Sequence, residues 1–173
     1  MSSSMVIRDA AAADLPAINA IYNHYVLHST CTYQIEPESA EARAVWFAGR
    51  GAVHPVLVAE EAGVVLGWGS LSPFHRREAF AGTAENSVYV HHGHQRRGIG
   101  SLLLAELLQR GREQGLHTIV AAISAEQAGS IALHLRHGFR ETGRLFEAGR
   151  KFGQWLDVVY LQYFPGNAER AEG

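Results

Sequence analysis

The chain lacks the residues that would place it in several common classes. It has a single cysteine, Cys31, so no disulfide can close within it and no cysteine-rich zinc site can be built. That usage points to a reducing compartment, and the cytoplasm is the expected location. No apolar run approaches membrane-spanning length, and the polar start Met1–Ser4 has no apolar signal region behind it. Charge of one sign is not in excess, since the formal net charge is −2. An overall basic field for nucleic acid or an anionic membrane is thereby removed, and any cationic site must be local. Repeats and low-complexity tracts are missing.

What is present is an ordinary globular composition: 173 residues, 47% hydrophobic and 18% charged. That length suits one domain with its own core. The expectation is a single domain over 1–165 and a flexible polar tail over 166–173.

The patterning predicts mixed α/β structure. Strands are expected at 6–9, 55–60, 64–71, 85–91, 117–123, 139–145 and 155–163. The second and third form a hairpin around Glu61-Ala62-Gly63. Helices are expected at 14–28, with Asp14 as N-cap, and at 39–50, 98–114 and 128–137, the last stopped by Gly138. Paired strands with interspersed helices imply a mixed sheet, not a regular doubly wound one.

One stretch carries chemistry: "VYVHHGHQRRGIGSLLLAELLQ", 88–109. A strand enters a helix through Gln95, Arg96, Arg97, Gly98, Ile99 and Gly100. Helix starts leave N–H groups unpaired and favour anions. Glycines let the backbone approach closely, and arginines add charge-assisted contacts. A diphosphate is the ligand these features suit. The run is neither a P-loop nor a dinucleotide fingerprint, because it lacks Gly-Lys-Ser/Thr and the G-x-G-x-x-G spacing. On the residues alone, a glycine-assisted helix entry with surface arginines stands as the competing reading.

The segment Gln95–Gly100 after Val88-Tyr89-Val90 resembles the acyl-CoA signature Q/R-x-x-G-x-G/A of the GNAT N-acetyltransferases. The resemblance covers nearly the whole chain and narrows to the phosphinothricin and methionine sulfoximine acetyltransferases. It rests on "INAIYNHYVLHSTCTYQIEPES" at 18–39, "PFHRREAFAGTAENSVYV" at 73–90 and "GRKFGQWLDVVYLQ" at 149–162. It implies a GNAT fold, a strongly twisted mixed sheet with splayed central strands flanked by helices. Acetyl-CoA is the implied co-substrate, its pantetheine arm on Val88, Tyr89 and Val90 and its diphosphate on Gln95, Arg96, Arg97, Gly98, Ile99, Gly100 and Ser101. Gln127 and Ser130 complete the implied contacts, Gln127 standing where relatives usually have asparagine. A homodimer is implied too.

The same resemblance assigns roles. Glu85 is the implied base for an acceptor amine, which is largely protonated near neutral pH and must lose a proton before it attacks. His134 stands where relatives carry a tyrosine or histidine that protonates the departing CoA thiolate. Arg77 is the implied anchor for a substrate carboxylate, with His75 where relatives often have arginine. Tyr33 and Phe80 match acceptor-pocket aromatics, and Tyr25 and Trp155 are further candidates. The three histidines His91, His92 and His94 lack a completing carboxylate or cysteine, so no metal is expected. Cys31 has no activating setting, and the resemblance implies direct transfer without an acyl-cysteine.

The expected activity is acetyl transfer to the α-amine of a small glutamate-like amino acid. Protein N-termini or polyamines are the rival acceptors, and a non-catalytic CoA-binding module is the rival from another class. A buried Arg77 would favour the amino acid; an open groove with an acidic floor would favour the others.

Overall fold

The computed structural model describes residues 4–166, so the expected tail from 167 onward lies outside the described residues. Seven strands and four α-helices follow the chain as β1 (Val6–Asp9), α1 (Leu15–His28), α2 (Ala40–Ala48), β2 (Val56–Glu61), β3 (Val64–Pro73), β4 (Thr83–Val90), α3 (Ile99–Glu113), β5 (Thr118–Ser124), α4 (Ala128–Arg136), β6 (Arg140–Lys151) and β7 (Gln154–Tyr163). They form one sheet in the order β1-β2-β3-β4-β5-β7-β6. Only the β4–β5 pair is parallel; the other neighbours are antiparallel.

Turn chemistry explains the hairpins. Ala62 and Gly63 both have positive φ, as do Phe152 and Gly153, which is the type I′ geometry that matches strand twist. The expected strand at 139–145 runs on to Lys151 as β6. It does so through a register shift between Leu145 and Gly149, with Glu147 at φ 49°. A bulge of this kind hides a strand's continuation from period-two reading.

The sheet buries a core on each face, because alternate strand residues point oppositely. On one face α3 lays Ile99, Leu103, Leu104, Leu107 and Leu108 against Leu57, Leu71, Ile119 and Leu161. Its approach is close: a Cβ added at Gly69 would meet Leu107 Cδ1 at 2.9 Å and Ser87 O at 3.0 Å. On the other face Ile18 and Ile21 of α1 pack with Val56, Val58 and Trp68. Ser39 caps α2, its Oγ accepting from Ala42 N at 3.1 Å.

Asp14 departs from its expected role. Its side chain does not cap α1. It accepts from Ala11 N at 2.7 Å and from both terminal nitrogens of Arg8 at 2.7 and 2.9 Å. The arginine holds the Asp14 carboxyl below the usual range, so Asp14 ties β1 to the entry of α1 through charge-assisted bonds.

Candidate active site

The central strands part. β4 pairs with β3 along its length, from Pro73↔Ala84 to Gly67↔Val90. It pairs with β5 only at Thr83↔Thr118, Ala84↔Ile119 and Glu85↔Val120. β5 instead follows β7 to Ser124↔Val158. From Asn86 to Val90 one edge of β4 therefore faces an opening and not a strand, and an open edge offers unpaired backbone groups. Each bordering strand also carries a buried polar atom without a partner, Asn86 Oδ1 and Ser124 Oγ. Such atoms are rare in native interiors and call for an explanation.

Beyond the opening, a 3-10 turn at His92–His94 leads to α3. Arg96 and Gly98 hold φ of 61° and 78°, and Gly98 caps α3 with no side chain bonded to its N–H groups. The first N–H groups of α3 are therefore left for an anion. The side chains of this turn divide. Arg97 is held by Glu61, with Nη2 at 2.9 Å from both carboxylate oxygens. Gln95 donates to Tyr25 Oη at 2.8 Å, and Tyr25 in turn donates to Val90 O. Ser101 Oγ lies 2.7 Å from His137 Nε2. Arg96 is exposed at the turn, with no hydrogen bond or ion pair among the described residues.

Glu85 sits where the strands begin to part, paired with Ser72 of β3. Burial raises its carboxyl pKa above the ordinary value, the direction a general base near neutral pH needs. Ser87 and Tyr89 share its face of β4. On the opposite face Asn86 Nδ2 lies 2.9 Å from His134 Nε2, while His134 Nδ1 lies 2.8 Å from Ser130 O. A carbonyl can only accept, so Nδ1 carries the proton and Nε2 accepts from Asn86. His134 is 4% exposed, and burial lowers its pKa. The ring is thus neutral, with its one N–H engaged.

Other predicted residues take varied places. Gln127 precedes α4 and donates to Thr30 Oγ1 at 3.1 Å, tying that helix to the loop after α1. Tyr33 donates to Asp157 O at 2.8 Å, its ring against Gly149. Phe80 is partly exposed between Phe74 and His75, at ring distances of 5.7 and 5.0 Å. Arg77, in the loop from β3 to β4, is exposed and not buried. Its backbone N donates to His75 Nδ1, and its guanidinium has no partner among the described residues. Trp155 is 59% exposed on the β6–β7 hairpin and does not line the cavity beside Ser72 and Ser87. His91 and His92 stack at 4.4 Å, and His92 stacks on His24 at 3.9 Å. Among the described residues no group of three or more His, Cys, Asp or Glu is arranged to hold a metal.

A cavity of about 260 Å³ lies on the Glu85 face of the sheet. It is lined by Tyr22, Arg43, Trp46, Trp68, Ser70 and Ser87, with Gln34, Glu38, Ser72 and Tyr89. Sequence reasoning missed most of this wall. The available signal was an arginine at 43 in the stripe 43, 46, 47 of α2, a spacing that normally marks a core face.

The acetyltransferase (GNAT) family model matches residues 18–139. The chain belongs to the GNAT acetyltransferase family. The enzyme is 45% identical, over 94% of each chain, to the L-methionine sulfoximine/L-methionine sulfone acetyltransferase of Pseudomonas aeruginosa. It is similar to the solved phosphinothricin acetyltransferase of Sinorhizobium meliloti in complex with acetyl-CoA, at TM-score 0.89 and 36% identity over 95% of this chain and 89% of that one. It is also similar to a solved ribosomal-protein-alanine N-acetyltransferase of Brucella melitensis, at TM-score 0.90 and 43% identity over 92% and 99%. Acetyl-CoA is the co-substrate of this GNAT enzyme, and its residues fit that molecule. The open edge of β4, the orphaned Asn86 Oδ1 and Ser124 Oγ, and the uncapped N-terminus of α3 supply unpaired polar groups for it.

Proposed function

We propose that this enzyme acetylates the α-amine of a small amino acid with a polar, tetrahedral side-chain head, of the methionine sulfone, methionine sulfoximine or phosphinothricin kind. The observation that carries this reading is the placement of Glu85. A carboxylate with a pKa raised by burial stands at the fork of the strands, beside a small cavity of amino-acid size.

The co-substrate supplies the activated acetyl group. Backbone N–H groups near Val88 donate to the acetyl carbonyl, where preorganised donors favour developing negative charge. The turn 95–98 and the start of α3 hold the diphosphate, with Arg96 adding charge. Glu85 takes the ammonium proton, directly or through water. Arg77 meets the acceptor's α-carboxylate at the exposed end of the site. His134 holds Asn86 in place, and since its single N–H is bound to Ser130 O, solvent returns the proton to the thiolate.

The same reading makes the enzyme a cytoplasmic homodimer. Leu145, Phe146, Phe152 and Trp155 on the β6–β7 hairpin are 50–75% exposed, and a cluster of large apolar side chains of that kind marks an interaction surface. Light scattering at micromolar concentration tests the dimer.

Thiol release from acetyl-CoA tests the acceptor. The panel contains methionine sulfone, methionine sulfoximine, phosphinothricin, alanine-initiated peptides and a polyamine. Turnover of the amino acids is the expected result. Efficient turnover of the peptides with poor turnover of the amino acids would replace this reading with the protein-acetylating one that the Brucella neighbour's name raises. No release with any acceptor would favour a CoA-binding module.

A further inference from the structure

A second cation lies on the Glu85 face of the sheet and belongs neither to the diphosphate turn nor to the Arg77 loop. Arg43 of α2 is only 4% exposed. Its guanidinium carbon lies 4.7 Å from the Trp46 ring centre, 4.8 Å from Tyr22 and 5.5 Å from Trp68. Nε donates to Asn19 Oδ1 at 3.1 Å, but Nη2 is buried without a partner. A helix face built only for packing has no use for an unsatisfied guanidinium, because a buried donor without an acceptor is destabilising. The same side chain lines the cavity. Glu38 lines it too, yet makes no hydrogen bond or ion pair with Arg43 among the described residues.

The register orients a ligand in this cavity. Trp68 pairs with Tyr89, Ser70 with Ser87, and Ser72 with Glu85. These pairs are successive steps on one face, so Glu85 stands roughly 13 Å along the strand from the ring cage of Arg43, at about 3.3 Å per residue. An amine that gives its proton to Glu85 sits at that end. The α-carboxylate is bonded to the same carbon and stays with it. Only the far end of the acceptor's side chain can extend past Ser70 and Ser87 toward Arg43.

Resting on the acceptor reading above, we propose that Arg43 is the specificity-determining residue for the acceptor's side-chain head. Its unpartnered guanidinium N–H groups donate to an oxygen on tetrahedral sulfur or phosphorus, in place of the acceptor that the folded chain withholds. The aromatic cage fixes the guanidinium plane, which an arginine needs for directional donation. A thioether in the same place leaves the donors buried and unpaired, and sites built around such donors reject ligands that lack the matching acceptor.

Methionine sulfone and methionine share a skeleton and differ only in the two oxygens, so they isolate this contact. In the native enzyme kcat/KM for the sulfone is expected to exceed that for methionine by at least about thirtyfold. Arg43→Met should lower the sulfone value by a similar factor, mainly through KM, and the methionine value only a few-fold. Arg43→Lys should fall between. Equal losses on both acceptors, or a ratio that survives Arg43→Met, would overturn the proposal. Tryptophan fluorescence of the native protein gives an arm that does not depend on a variant folding. Methionine sulfone should perturb Trp46 and Trp68 emission at concentrations where methionine does not, and identical responses would overturn the proposal. If the native enzyme uses methionine as well as the sulfone, only the role of Arg43 falls. If it releases thiol with no amino acid at all, the acceptor reading falls with it.

Discussion

Asn86 and His134 are joined by a hydrogen bond of 2.9 Å between Nδ2 and Nε2, and with Nδ1 against Ser130 O both ring nitrogens are engaged. Because Nδ1–H is committed to Ser130 O, Nε2 accepts a hydrogen bond from the Asn86 amide and the ring has no free N–H to give. Asn86→Ala would leave a buried lone pair unsatisfied, at a cost of about 1–3 kcal/mol. Urea denaturation should register that loss, while kcat falls less than it does for a Glu85 variant. His134→Gln should retain the alkaline limb of the native pH–kcat profile. Its disappearance would restore His134 as the acid.

Glu85→Gln keeps shape and removes the base. We expect kcat to fall about 10²- to 10⁴-fold with acetyl-CoA affinity held. In the native enzyme kcat/KM should drop as pH falls through the raised Glu85 pKa, since only the ionised carboxylate accepts a proton. A profile flat down to the ordinary carboxylate range would remove Glu85 from this role.

Gly98 holds φ at 78° in open space. Gly98→Ala is strained there by about 1–2 kcal/mol although nothing blocks its methyl. Gly98→Asp adds negative charge at the N-terminus of α3 and should weaken acetyl-CoA binding far more than Gly98→Ala. Calorimetric titration of the two folded variants separates strain from charge, and equal affinities would show that the diphosphate lies elsewhere.

Arg77 is exposed, so its pairing with a substrate carboxylate is screened by water. Arg77→Ala should raise KM by about three- to tenfold, the scale of an exposed ion pair near 1 kcal/mol. All α-amino acid acceptors should suffer alike, with the sulfone-to-methionine ratio preserved. A change in that ratio would place Arg77 on the side-chain head instead.

Burial lowers the pKa of His24, His91 and His134 below the ordinary 6.5 in the folded state. The unfolded chain then binds more protons between the folded values and 6.5. Stability is full above about pH 6.5 and is lost as pH falls through the folded pKa values. Denaturant midpoints at pH 7.5 and pH 5 should show this decline. His24→Asn, which removes one member of the stacked set, should reduce it. A pH-independent midpoint would contradict these shifts.

The sequence by itself determined much of this enzyme. The helices expected at 14–28 and 98–114 form as α1 and α3, burying Ile18, Ile21 and Val26, and Ile99, Leu103 and Leu107. The turn at Ala62-Gly63, the stop at Gly138 and the glycine entry to α3 are local chemistry, written within a few residues, and so were legible. Only the tertiary structure decided the rest. The early end of the β4–β5 pairing depends on residues more than 30 apart. The partner of His134 Nε2 is Asn86, 48 residues away. The aromatic cavity joins helix residues 22, 43 and 46 to strand residues 68 and 89. In sequence Arg43 shows only a helical spacing with Trp46 and Phe47. The lack of a partner for Nη2 is a property of what the chain brings around the residue, and no local pattern encodes it.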